Sequence, residues 1–221
     1  MPTVLITGAN RGIGLQFARD YAAAGWDVIG TSRNPDRADD LRAISGATVM
    51  RLSVANPHSV DNFFDELGDR QVDLFISNAG SYGSRDLDKD SWIETLEINT
   101  IAPTVMATQL KKNMEQSDVK KMVVLSSQMG SVSDNQSGGS IIYRSSKAAV
   151  NAAWKSLSID FRDDGIAIGI LHPGWVKTEM GGENALINTE TSVAGMMQVI
   201  ENLSLENSGE FRVYDGSKMG W

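Results

Sequence analysis

Short, β-branched apolar runs alternate with stretches in which apolar residues recur at helical spacing, from one end of the chain to the other. The runs predict strands over Thr3–Thr7, Asp27–Thr31, Thr48–Leu52, Asp73–Ser77, Met122–Ser126, Ile166–Leu171 and Phe211–Tyr214. The periodic stretches predict helices over Gly12–Ala24, Pro35–Ile44, Pro57–Leu67, Lys89–Met114, Tyr143–Arg162 and Thr191–Leu203. Strand–helix alternation of this kind predicts an α/β, doubly wound fold, with a parallel sheet of about seven strands and helices on both faces. Several strands are apolar throughout rather than alternating, as expected where both faces of a sheet are covered.

No repeat or Pro/Ser-rich linker divides the 221 residues, so a single domain over 1–221 is expected. The longest connections are Ser81–Asp88, Gln128–Ile142 and Thr178–Glu190. All three follow predicted strand ends on the edge of an open sheet where ligands bind, which makes them candidate substrate loops.

The formal net charge of −8 argues against nucleic acid or an anionic membrane as the main partner and leaves a small molecule as the expected one. There is no cysteine, which excludes a disulfide framework or zinc–thiolate site. The N-terminus enters a strand without a basic segment or long apolar stretch, so no signal peptide or transmembrane helix is expected, and the cytoplasm is the default location. With two histidines far apart and no carboxylate cluster, no catalytic metal is expected.

The first strand runs into Thr7-Gly8-Ala9-Asn10-Arg11-Gly12-Ile13-Gly14 and then into a helix. A strand, a glycine turn and a helix N-terminus form the Rossmann-type receptor for a dinucleotide pyrophosphate. Glycine permits positive φ and a close backbone approach, and the free N–H groups of the first helical turn face the anion. Gly8, Asn10, Gly12, Ile13 and Gly14 are the candidate contacts. An NAD site usually ends its second strand with a carboxylate for the ribose hydroxyls, but here the strand ends Gly30-Thr31-Ser32-Arg33. Arg33 offers a planar donor fork for a 2′-phosphate, with Arg11 across from it and a hydroxyl from Thr31 or Ser32. At about 1.5–3 kcal/mol per charge-assisted bond, two arginines would favour NADP over NAD by roughly two orders of magnitude or more. Asp36 follows Pro35 and is read as a cap on the next helix.

Tyr143 and Lys147 lie four residues apart at the start of a helical period, on one face. A neighbouring ammonium would lower the phenol pKa and make Tyr143 an acid or base usable near neutral pH, and Lys147 could also bind ribose hydroxyls. Upstream, Val123-Val124-Leu125-Ser126-Ser127 is a buried strand that delivers hydroxyls to the same edge, with Ser127 favoured over Ser126 for contact with a carbonyl oxygen.

Taken together, Thr7-Gly8-x3-Gly12-Ile13-Gly14, Asn78-Ala79-Gly80, Asn99, Ser127, Tyr143-x3-Lys147 and Pro173-Gly174 resemble the short-chain dehydrogenase/reductase family over essentially the whole chain. The compact length and the ending Val213-Tyr214-Asp215-Gly216 through Trp221 are similar to the C-factor and sniffer-like carbonyl reductase group. The resemblance implies hydride transfer between NADPH and a carbonyl compound, ketone or aldehyde to alcohol, with Tyr143 as general acid/base. It implies that Lys147 tunes Tyr143 and grips the nicotinamide ribose, that Ser127 orients the substrate oxygen, and that Asn99 bends its helix and anchors a relay water. It further implies that Asn78, Ala79 and Gly80 pass the adenosine ribose, that Pro173 and Gly174 turn beneath the nicotinamide, and that Val176 and Thr178 reach the cofactor. A homodimer or homotetramer pairing through Lys89–Met114 and Tyr143–Arg162 is implied by the same analogy.

The chain departs from the family pattern at three places. Ser53, next to Val54, stands where an aspartate often meets the adenine; Ser77 replaces the first of two asparagines; and Ser133–Ser140 lengthens the interval between Ser127 and Tyr143. That polar insertion either borders the substrate mouth or is solvated slack. His172 either lines the cleft or packs, and Trp175 is either a substrate wall or core. The principal alternative function is a dinucleotide-binding signalling or regulatory protein of C-factor type with little turnover. Epimerisation or dehydration is a third and weaker possibility.

Overall fold

The computed structural model describes all of residues 1–221. In chain order the elements are β1 (Thr3–Ile6), α1 (Gly12–Ala23), β2 (Asp27–Ser32), α2 (Asp39–Arg42), β3 (Ala47–Arg51), α3 (Pro57–Leu67) and β4 (Leu74–Ser77). Then come α4 (Lys89–Leu96), α5 (Ala102–Met114), β5 (Lys121–Leu125), α6 (Ile141–Asp160), β6 (Ala167–His172), α7 (Thr189–Glu201) and β7 (Phe211–Val213). The seven strands form one parallel sheet in the order β3-β2-β1-β4-β5-β6-β7, the Rossmann-type arrangement expected. No helix is long and apolar enough to cross a membrane.

Successive strand side chains point to opposite faces, so each strand feeds two cores. Leu5, Phe75, Met122, Val124, Ile168 and Ile170 pack with Phe63 of α3, Leu110 of α5 and Trp154 of α6. Val4, Ile6, Leu74, Ile76, Val123 and Leu125 pack on the other face with Phe17 of α1, Leu41 of α2 and Met196 of α7. The chain winds outward from β1 to β3 and then returns beside β1 to lay down β4, so its direction across the sheet reverses between these strands. In such sheets the C-terminal ends of the strands on either side of this reversal are the usual ligand position.

Three helix expectations need correction. The stretch from Pro35 is not one helix: it divides into a 3-10 turn, Pro35–Arg37, and the four-residue α2. Asp36 does not cap α2; its carboxylate lies 3.8 Å from Arg51 instead, and Ala38 precedes the helix. The long helix from Lys89 is interrupted by a π-helical turn, Glu97–Ile101, which places Asn99 on a bulge between α4 and α5, at the bend the resemblance implied. Finally, α6 begins two residues before Tyr143, after Ser140 in a left-handed conformation (φ 45°), so both Tyr143 and Lys147 lie within the helix.

Candidate active site

The glycine turn leaves β1 with Gly8 at φ 67° and Gly12 at φ 55°, both in the region that favours glycine. At Gly14 a Cβ would lie 2.5 Å from both the Gly8 carbonyl oxygen and the Asn78 amide nitrogen, so no side chain fits there. Arg11 precedes α1 without a side-chain cap, which leaves the N–H groups of the first turn facing outward as an anion cradle. Asn10 and Ile13 lie within this turn, half-buried. The Asn78 amide donates to the Thr7 and Gly8 carbonyls (2.8 and 3.1 Å), and the Asn78 and Ala79 N–H groups both donate to Thr7 Oγ1 at 3.0 Å. These bonds fasten the end of β4 to the turn. The cradle and the open donors fit a dinucleotide.

At the end of β2, Arg33 is exposed and Ser32 Oγ accepts from the Asn34 N–H at 3.2 Å. The Arg11 guanidinium pairs with Glu179 of the 178–190 segment, which folds back onto the turn and places the Thr178 methyl beside Gly12. Arg51 was missed. It pairs in register with Ser32 at the end of β3, and its Nη1 donates to the Arg33 carbonyl at 3.1 Å. Its signal was a basic residue at the end of the strand next to Arg33. Ser53 donates its N–H to Ser59 Oγ at 2.9 Å and Val54 packs against the core, which leaves the Ser53 hydroxyl as the polar group of that pair.

Ser127, Tyr143 and Lys147 meet beyond the end of β5. Ser127 Oγ accepts the Met129 N–H at 3.1 Å, and its hydroxyl acts on the Tyr143 phenol to lower its pKa. Ser126 is turned away and spends its hydroxyl on buried Asn151, which supports Ser127 over Ser126. Lys147 is 6 % exposed, and its ammonium donates to the Leu125 carbonyl at 2.8 Å. Gly80 lies alongside; a Cβ there would be 3.8 Å from Lys147 Nζ. Asn99, 1 % exposed, accepts the Ser81 N–H (2.8 Å) and donates to the Ser81 carbonyl (2.7 Å) and Ser146 Oγ (2.9 Å). Ser146 in turn donates to the Tyr143 carbonyl at 2.8 Å. The bulge is thereby tied both to the loop after β4 and to the helix that carries Tyr143.

The expected lowering of the Tyr143 pKa by Lys147 is reversed here. Burial pushes the phenol up to about 12, the Ser127 hydrogen bond pulls down in part, and the Tyr82 phenol adds to the rise. Lys147 Nζ, 5.7 Å from the ring centroid, is turned to the Leu125 carbonyl and does not offset the burial. Burial also brings Lys147 down to about 8. At neutral pH the phenol is therefore protonated, the state a proton donor needs.

Tyr82 is a second residue the sequence reading missed, its signal being an aromatic side chain just beyond Gly80. Its ring stacks on Tyr143 with centroids 4.6 Å apart. The last residue of the insertion reaches this ring, with Ser140 Oγ 2.7 Å from the Tyr82 hydroxyl, while residues 133–139 are exposed. Arg144, inside the Tyr-x3-Lys motif, holds the Gly138 and Gly139 carbonyls at 3.1 Å and Ser137 Oγ at 2.9 Å.

On the far side, Pro173 accepts from Ser192 Oγ at 2.6 Å and Gly174 turns at φ 84°. Val176 is buried, and Thr178 Oγ1 contacts the Val176 carbonyl and the Gly181 N–H. His172 Nδ1 is buried without a partner, and burial lowers this side chain to about 4, so it is neutral at pH 7. Trp175 is 50 % exposed, which rules out core, and its Nε1 donates to the Gly181 carbonyl at 2.8 Å.

A family model described as short chain dehydrogenase matches residues 2–188. The chain belongs to the short-chain dehydrogenase/reductase family. Among its relatives in this family is C-signal of Myxococcus xanthus, 38% identical over 154 residues that cover 68% of this chain and 93% of the relative. The carbonyl reductase Sniffer of D. melanogaster superposes with a TM-score of 0.89 at 30% identity, covering 100% of both chains. An NADPH-bound carbonyl reductase from chicken fatty liver superposes with a TM-score of 0.91 at 32% identity, covering 100% of this chain and 94% of the other. The sniffer-like carbonyl reductases of the family are thus its structural neighbours.

Proposed function

We propose that this protein is one domain that uses NADPH to reduce a ketone or aldehyde to the alcohol. The observation that carries the reading is the convergence of Ser127, Tyr143 and Lys147 on one sheet edge beside the glycine turn. The likeness to an NADPH-bound carbonyl reductase supports the cofactor, as do Arg33 and Arg11.

The pyrophosphate would lie on Gly8, Gly12 and Gly14 with the Asn10 and Ile13 backbone, and the 2′-phosphate on Arg33, Ser32 and Arg11. Ser53 and Val54 would meet the adenine, and Asn78, Ala79 and Gly80 the adenosine ribose. Pro173, Gly174, Val176 and Thr178 would frame the nicotinamide, with Tyr143 and Lys147 at its ribose. Bound NADPH supplies the hydride. Ser127 and Tyr143 both donate hydrogen bonds to the carbonyl oxygen. As charge grows on that oxygen, Tyr143 releases its proton to it, a role worth about 10²–10⁴ in rate. Lys147, charged at neutral pH, stabilises the phenolate left behind. Asn99 holds the loop after β4 in register and is the anchor for a relay water.

A homodimer through α4 and α5 belongs to the same proposal, supported by exposed Ile93, Ile101 and Val105. The likeness to C-signal favours a signalling role as the second reading, although Ser127, Tyr143 and Lys147 are all retained. The test is NADPH oxidation against a panel of ketones and aldehydes. Turnover lost in Tyr143→Phe, with NADPH binding kept, supports the enzyme. No oxidation by the intact protein with any carbonyl overturns it in favour of the signalling role.

A further inference from the structure

The loop after β4 holds Tyr82 at three points. On its N-terminal side, Ser81 is bound through both backbone groups by Asn99. On its C-terminal side, Gly83 stands at φ 73°, its N–H donates to Ser81 Oγ at 3.2 Å, and a Cβ would lie 2.5 Å from Thr95 Oγ1. At its tip, the hydroxyl meets Ser140 Oγ at 2.7 Å. Ser140 is itself fixed: it carries the left-handed turn into α6, and Arg144 gathers the residues just before it. The Tyr82 ring therefore lies on Tyr143 at 4.6 Å and 21° with its flanking backbone and its hydroxyl both held.

We propose that Tyr82 is a specificity-determining residue, an aromatic wall beside the Tyr143 hydroxyl that favours carbonyl compounds with a flat, conjugated substituent over saturated ones of equal size. The proposal rests on the carbonyl-reducing reading above. A substrate oxygen that reaches both the Ser127 and Tyr143 hydroxyls brings its substituents against the edge of the stacked pair. Aromatic rings gain from offset or edge contacts with one another beyond the area they bury, on the order of two- to tenfold in an equilibrium constant. A saturated ring is thicker and lacks the π face, and a ring held at three points yields less to it.

The experiment compares kcat and KM for acetophenone and cyclohexyl methyl ketone, a pair of similar volume, in the wild type, Tyr82→Leu, Tyr82→Phe and Ser140→Ala. The wild type prefers the aryl ketone. Tyr82→Leu cuts that preference about three- to tenfold, mainly through KM for the aryl ketone. Tyr82→Phe keeps the ring but loses the latch and gives up about twofold, as does Ser140→Ala. An equal preference in wild type and Tyr82→Leu, or no aryl preference in the wild type, overturns the proposal while leaving carbonyl reduction standing. Should Tyr82→Leu fail to fold, judged by NADPH binding and thermal melting, unchanged ratios in both Tyr82→Phe and Ser140→Ala overturn it. Absence of turnover by the wild type on either ketone and on the wider panel removes the parent reading instead.

Discussion

The ammonium of Lys147 lies 2.8 Å from the carbonyl oxygen of Leu125, the last residue of β5, and is closed off from solvent there. Burial takes its pKa from 10.5 to about 8, which corresponds to a native-state penalty of about 3 kcal/mol at neutral pH. The sign follows from proton counting. Between pH 8 and 10.5 the unfolded chain holds a proton that the folded one has released, so this contribution to stability rises with pH across that window. Replacing Lys147 by methionine removes the penalty but leaves the Leu125 carbonyl without its donor, a loss of about 1–2 kcal/mol. Lys147→Met is expected to raise the cofactor-free melting temperature at pH 7 by about 3–8 °C while abolishing turnover. Melting curves at pH 7 and 10.5 check this, the gain vanishing at the higher pH.

Tyr143, held near 12, is almost wholly protonated at pH 7. Reduction needs that proton and should show no loss from Tyr143 between about pH 6 and 9. The reverse reaction needs phenolate, whose fraction grows about tenfold per pH unit below the pKa. Alcohol oxidation with NADP should therefore climb steeply up to about pH 8, where Lys147 begins to lose the charge that stabilises the phenolate. Initial rates in both directions across pH 6–9 decide it, and a level oxidation profile would contradict the assignment of Tyr143 as base. Tyr143→Phe should lower kcat by about 10²–10⁴ without weakening NADPH binding to match.

Asn99 uses both amide hydrogens and one acceptor position of Oδ1 on Ser81 and Ser146. Asn99→Ala leaves buried partners unsatisfied and should destabilise by about 2–4 kcal/mol, a fall in melting temperature of about 5–15 °C. By releasing the loop that carries Tyr82, it should also reduce kcat. Thermal melting and steady-state kinetics on the same preparation separate the two effects.

Arg11 is paired with Glu179 and exposed, so its pairing is weak and easily exchanged. Glu179→Gln should free the guanidinium and lower KM for NADPH by about two- to fivefold, with KM for NADH unmoved. Arg33→Asp should erase the NADPH preference, a change of roughly two orders of magnitude or more. The ratio of kcat/KM for the two cofactors measures both, and selectivity unchanged in Arg33→Asp would reject the 2′-phosphate role.

The order and type of the strands were legible because each is a short apolar run bounded by turn residues, and a strand buried on both faces announces itself in one dimension. Gly8, Gly12, Gly14, Tyr143 and Lys147 were legible for a similar reason: local spacing alone sets them on one turn or one helix face. What sequence could not reveal are properties of the assembled interior. The bonds from Asn99 to Ser81 and Ser146 tie the bulge to residues distant in the chain, although the resemblance already implied a bend there. The direction of the Tyr143 shift depends on how deeply α6 sinks its first turn. Arg51 and Tyr82 reach the site only through strand register and loop packing, between residues far apart in the chain.

The reversal of chain direction between β1 and β4 divides labour along the gene as well as across the sheet. The glycine turn, Arg33 and Ser53, proposed for the adenine-nucleotide end, all come before Asn78, whereas Ser127, Tyr143 and the flanking loops come afterwards. A chimaera spliced within β4 should inherit coenzyme choice from one parent and substrate choice from the other, because the Asn78 clasp on Thr7 and Gly8 needs only backbone carbonyls and one hydroxyl to re-form the seam.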